Sequence, residues 1–139
     1  CVCTKTNNMT KVYKAMVLSC IDPRFQPKVF NYLKRKKLTG KYSSFTIAGG
    51  AIGVTASKFK KWHSTFWQNL ETSVKLHKIQ KLIVLNHQDC GAAKIVNGKK
   101  QYNYNIEKRI HERSFKLIKQ RLKKKFPKMS IDTKILFLK

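Results

Sequence analysis

Short apolar runs alternate along this chain with stretches of helical periodicity, and that alternation limits the folds open to it. The run Lys81-Leu-Ile-Val-Leu-Asn86 is brief and almost wholly apolar, so it reads as a buried strand. Val12-Tyr-Lys-Ala-Met-Val-Leu18, Ser43-Ser-Phe-Thr-Ile-Ala48 and Ile135-Leu-Phe-Leu138 read as three more. A helix starts near Pro27, a good first-turn residue, and stops at Gly40. Trp62, Phe66, Leu70 and Val74 recur every four residues, which predicts an amphipathic helix over about 62–78. Residues 51–61 read as loop, and Ala92-Ala93 opens a short helix. A long helix over about 104–125 carries Ile106, Ile110, Leu117, Ile118 and Leu122 on one face and lysines on the other.

Strands separated by helices imply parallel pairing through right-handed crossovers. The predicted class is therefore α/β, with a four-stranded, mostly parallel sheet flanked by helices. In such open sheets, ligands bind beyond the carboxyl ends of the strands, at the switch point. Cys20 lies just past the first strand, and His87 and Cys90 lie just past the third. With strand order 2-1-3-4, all three meet at that point.

Charge is lopsided: 31 Lys plus Arg face 6 Asp plus Glu over 139 residues, a formal net charge of +25. Of the basic residues 26 are Lys and 5 are Arg, a poor supply of the planar fork that reads bases. The excess reads first as a solvated cationic surface, and second as attraction to nucleic acid, membrane phosphates or small anions. No apolar run reaches the roughly 18–20 residues of a membrane span, so a soluble or peripheral, cytoplasmic protein is expected. Four cysteines, at 1, 3, 20 and 90, are too sparse for a disulfide scaffold. Residues 1–11 read as a polar, disordered leader in which Cys1 and Cys3 are incidental. Residues 12–139 read as a single α/β domain.

The acids are more telling than the bases. They are Asp22, Glu71, Asp89, Glu107, Glu112 and Asp132, and two of the six lie within two residues of a cysteine. His87-x-x-Cys90 puts an imidazole and a thiol on one tight turn, and Cys20 adds a second thiol. Two thiolates and one neutral imidazole cancel the charge of a dication, and that mix of sulfur and nitrogen suits zinc. A helix opening after Cys90 favours its thiolate. Three protein ligands leave a fourth position open, as in catalytic rather than structural zinc sites. Cys20, Asp22 and Arg24 alternate, so in extended chain they point the same way. Arg24 can then hold Asp22 by a charge-assisted pair. Asp22 either accepts a hydrogen bond beside the metal or becomes the fourth ligand itself. Asp89 reads as a turn or cap residue.

Cys20-x-Asp22-x-Arg24 after the first strand, with His87-x-x-Cys90-Gly91 after the third, resembles the β-class carbonic anhydrases. The resemblance spans about residues 12–138, and Ala48-Gly49 echoes the family's glycine-bearing segment after its second strand. It implies Cys20, His87 and Cys90 as zinc ligands and Asp22–Arg24 as the catalytic dyad. It implies a lyase that reversibly hydrates carbon dioxide to bicarbonate and a proton by attack of zinc-bound hydroxide. It also implies a homodimer or higher homo-oligomer. Backbone amides after Cys90, beginning with Gly91, are the candidate substrate contacts. His63, His77 and His111 are candidate proton shuttles. Gly50 stands where the family usually has Asn, Pro23 where a small residue is common, and residues 1–11 offer no counterpart of the family's long helical arm.

Two other readings share these residues. Related enzymes hydrolyse carbonyl sulfide or carbon disulfide on the same scaffold. Alternatively, a closed site of Cys20, Asp22, His87 and Cys90 stabilises a non-catalytic domain that binds nucleic acid through its lysines. A thiol-transfer protein using Cys20 and Cys90 would lack the usual Cys-x-x-Cys motif.

Overall fold

A computed structural model describes residues 12–139. The expected polar leader, with Cys1 and Cys3, lies outside the described residues. Four strands form one sheet in the order β2-β1-β3-β4, with every pairing parallel: β1 (Ala15–Ser19), β2 (Tyr42–Thr46), β3 (Lys81–His87) and β4 (Ser130–Leu136). The helices are α1 (Gln26–Arg35), α2 (Lys60–His77), α3 (Gly91–Asn97) and α4 (Tyr104–Lys125). The predicted class and strand order are those observed.

The central strands β1 and β3 are buried on both faces, which is why they are continuously apolar. Their side chains alternate between two layers. Met16, Leu18, Leu82 and Val84 pack with Phe66 and Leu70 of α2 and Phe115, Ile118 and Leu122 of α4. Ala15, Val17, Ile83 and Leu85 pack on the opposite layer with Leu33 of α1 and with Phe25. Burying a side chain of this size contributes roughly 1.5–3 kcal/mol, so these two layers hold the strand ends in register.

Three elements depart from the sequence reading. β4 starts at Ser130 rather than Ile135, and Phe137 and Leu138 lie beyond it, 43% and 41% exposed. It is an edge strand, so Ser130, Asp132 and Lys134 face solvent and break up the apolar run that was sought. Lys81 pairs across the ladder with Asp132 at 3.1 Å. Residues 51–61 read as loop, but Ser57–Phe59 is a 3-10 turn and α2 already begins at Lys60, while Ala51, Ile52 and Val54 are wholly buried. The stripe that α4 buries runs through Glu107, His111, Ser114, Phe115, Ile118 and Leu122. Ile106, Ile110 and Leu117, expected on that face, lie on its half-buried margin. The buried stripe keeps helical spacing, but its first half is polar.

Candidate metal centre

Cys20, His87 and Cys90 converge past the carboxyl ends of β1 and β3. One potential ligand atom from each lies within 4.8 Å of the others, and all three residues are buried. This is the one such cluster among the described residues, and the donor set could hold a metal ion. His87 ends β3, and its Nδ1 donates to the Gln88 carbonyl at 2.7 Å. That bond leaves Nε2 turned toward the thiols, buried and without a hydrogen-bond partner. A buried imidazole nitrogen left unpaired is costly unless something occupies its lone pair. Phe25 stacks on the ring at 4.1 Å between centroids and fixes its plane.

The thiols influence each other. A hydrogen bond from Cys90 lowers the Cys20 pKa, aided by the Gly49 amide. The same bond, with burial, raises Cys90. A bound dication would favour the thiolate form of both. The Gly49 N–H reaches the Cys20 sulfur at 3.2 Å. Gly49 has φ +82°, and a Cβ there would lie 2.7 Å from the Ala92 Cβ. Only glycine brings the backbone this close without strain. Gly50, at φ +55°, leaves room for Asn86, whose Oδ1 accepts the Ala51 N–H at 3.0 Å.

Asp22 and Arg24 meet through a tight turn, not through the extended alternation expected. Pro23–Phe25 is a 3-10 turn capped by Asp22, whose Oδ1 accepts the Arg24 N–H at 2.9 Å. Pro23 presets that turn. The guanidinium then grips both carboxylate oxygens, Nε to Oδ1 at 3.1 Å and Nη2 to Oδ2 at 2.7 Å. Those bonds hold the Asp22 pKa down to about 2, so it is a carboxylate at neutral pH. Its Oδ2 stands 3.8 Å from the His87 Nε2.

Asp89, expected only to turn or cap, is the second anchor of Arg24. Its carboxylate accepts from Nη1 and its carbonyl from Nη2, both at 3.0 Å, and Lys94 pairs with it at 3.1 Å. It makes no side-chain cap to α3, whose N-cap is Cys90. Gly91 opens α3 with open space at its Cα, while the amides of Ala92 and Ala93 favour the Cys90 thiolate. Glu107 was missed as a site residue. It is 2% exposed and accepts the N–H of Asp89 at 3.1 Å and of Cys90 at 2.7 Å. The available signal was a carboxylate in helical phase with His111, Phe115 and Ile118.

The model of the family described as "Putative carbonic anhydrase" matches residues 9–131. The chain belongs to this carbonic anhydrase family. Among solved structures, a carbonic anhydrase from Glaciozyma antarctica is 18% identical with a TM-score of 0.60, over 94% of this chain and 79% of that one. A β-carbonic anhydrase of Aspergillus fumigatus is 10% identical with a TM-score of 0.62, over 92% and 72%. One of two tetrameric β-carbonic anhydrases from Sordaria macrospora is 11% identical, also at 0.62, over 92% and 77%. At those identities the likeness is one of fold. An uncharacterized protein of Rickettsia conorii is 28% identical over 85% of the chain, which spans 64% of that relative's length. One from Rickettsia bellii is 24% identical over 85% of the chain and 73% of its own. Among the described residues of this carbonic anhydrase family member, no helix is long and apolar enough to cross a membrane.

Proposed function

We propose that the chain is a zinc-dependent carbonic anhydrase, interconverting carbon dioxide and water with bicarbonate and a proton. In this reading Cys20, His87 and Cys90 hold zinc, and Asp22 and Arg24 are the catalytic pair. The observation that carries it is the His87 Nε2, buried beside two thiols without a partner and oriented by the opposite nitrogen's bond to Gln88. Orienting a ligand histidine through its second nitrogen is the usual outer-shell device of metal sites. Thiolate and imidazole donors suit zinc, whose Lewis acidity makes hydroxide available near neutral pH.

The chain's own residues do the rest. Asp22, kept ionised by Arg24, is an anionic acceptor that orients the attacking oxygen through its proton. Both Asp22 oxygens are engaged by Arg24, which favours that role over metal ligation, since ligation would disrupt charge-assisted bonds. Ile52, Ala92 and Ala93 surround the thiols with apolar surface, a wall suited to an apolar triatomic substrate. The Gly91 amide is the proposed backbone donor to developing negative charge. Of the candidate shuttles, His77 is tied to Ser43 near the start of β2, and His111 is fully buried. His63 remains, with its Nε2 donating to the Ala56 carbonyl, and Ala56 packs against the site's apolar cluster. The rim of that cluster supports a homodimer or higher oligomer, because Phe59, Val96, Tyr102 and Ile110 are only partly buried.

Parallel assays of the zinc-loaded protein with carbon dioxide, carbonyl sulfide and carbon disulfide test the substrate. Fastest turnover of carbon dioxide is expected. Faster turnover of either sulfur analogue reassigns the substrate on the same scaffold.

A further inference from the structure

Glu107 stands out among the six acids because it is the one sealed inside the protein, and it lies against the metal-site turn. Taking a carboxylate out of water costs several kcal/mol unless its oxygens are fully bonded. Here each oxygen accepts a different backbone amide, Oε1 from Asp89 and Oε2 from Cys90. Asp89 is held at φ +60°, a left-handed conformation uncommon for a residue with a side chain. Two successive amides thus converge on one anion, as in a backbone nest.

The two amides belong to the residues on which both halves of the site depend. Cys90 supplies one thiol. Asp89 donates its N–H to Glu107 while its carbonyl and carboxylate hold Arg24 at 3.0 Å each. Arg24 in turn holds Asp22. Behind Glu107, the Asn86 Oδ1 takes the Ala51 N–H, so its amide nitrogen donates to the His111 Nδ1 at 2.9 Å. The His111 proton is then on Nε2, 3.4 Å from the Glu107 Oε2. That contact is not a hydrogen bond, so His111 packs against Glu107 on one side and bonds Asn86 on the other, beside the Gly49–Ala51 turn that hands an N–H to Cys20.

We propose that Glu107 is a positioning residue for the metal centre: presented by α4, its carboxylate fixes the Asp89–Cys90 backbone and thereby sets both the Cys90 thiol and the Arg24 guanidinium. The inference rests on reading Cys20, His87 and Cys90 as metal ligands, but not on which reaction follows. An apolar side chain would anchor α4 as well or better, so anchoring alone gives no reason for a carboxylate here.

The test is Glu107→Gln, which keeps the volume but replaces one acceptor with a donor facing an N–H. Zinc affinity, read by competition with a chromophoric chelator, is expected to fall about 10–100-fold. The absorption bands of the cobalt-substituted protein are expected to shift, reporting altered thiolate geometry. Ile118→Val, elsewhere on the same buried stripe, is the control that weakens packing alone, and it should leave both readouts unchanged. A folded Glu107→Gln with wild-type affinity and cobalt spectrum overturns the proposal, as does an Ile118→Val that matches its effects. Should Glu107→Gln fail to fold, amide exchange in the wild-type protein decides. Slow exchange at Asp89 and Cys90 with or without zinc supports the clamp, and exchange as fast as in exposed loops overturns it. None of these readouts needs turnover, so a zinc-binding protein inactive toward carbon dioxide sinks the enzymatic reading and leaves the clamp.

Discussion

Arg24 reaches from the turn after β1 to Asp89 in the turn after β3, bonding both its carboxylate and its carbonyl at 3.0 Å. Two motifs 65 residues apart are thereby locked together by one side chain, with Asp22 carried on the same guanidinium. The site is a single braced unit and not a set of side chains placed independently.

Replacing Asp22 with Asn removes the anion and leaves the volume. Turnover is expected to fall about 100-fold or more, the scale of a lost proton-handling group. Zinc content, measured by atomic absorption, should stay at the wild-type level. A parallel loss of zinc would make Asp22 a ligand and favour the closed, non-catalytic site.

Gly49→Ala tests the close approach of backbone to the Cys20 sulfur. The added methyl meets the Ala92 Cβ at 2.7 Å, in a left-handed conformation. A stability loss of about 1–3 kcal/mol is expected in urea unfolding. Zinc affinity should fall with it, because the Gly49 N–H is displaced from the thiolate. Unchanged affinity in a folded variant would contradict that N–H's role at the site.

Phe25 is 1% exposed and stacked on His87. Phe25→Ala should cost about 3–5 kcal/mol by opening a cavity. Phe25→Leu should cost less while freeing the imidazole plane, which NMR of the His87 ring reads as line broadening. A sharp, unshifted His87 signal in Phe25→Leu would mean the stack does not hold the ring.

His111 links pH to stability. Burial lowers its pKa below the ordinary 6.5, against the pull of Glu107. Above 6.5 the ring is neutral in both folded and unfolded chains, so it contributes no pH dependence. As pH falls through that value the unfolded state takes the proton first, and stability drops until the folded pKa is passed. His111 should thus lower the urea midpoint of chelator-treated protein near pH 5 relative to pH 7, against the opposite contribution of His87, whose pKa is raised. His111→Gln should remove the His111 contribution, and an equal slope in the variant would contradict the assignment.

The sheet order and the convergence of Cys20, His87 and Cys90 were legible because buried parallel strands are continuously apolar and end where ligands bind. The Asp22–Arg24 pair was legible from spacing, although the turn that makes it depends on Pro23 and not on extended alternation. β4 was half-legible, since its exposed Ser130, Asp132 and Lys134 look like loop until an adjacent strand is known. Glu107 and the second role of Asp89 were not legible as site residues. Glu107 lies on a helix whose neighbouring isoleucines suggested a different buried face, and only tertiary packing shows that the turn's amides need an anion there. The left-handed backbone at Asp89, on which its role depends, is likewise set by that packing.

Stopped-flow carbon dioxide hydration by the zinc-loaded protein at mildly alkaline pH tests the central claim most directly. The account predicts turnover that scales with zinc content and disappears in Cys90→Ser. Full zinc occupancy without turnover would contradict it.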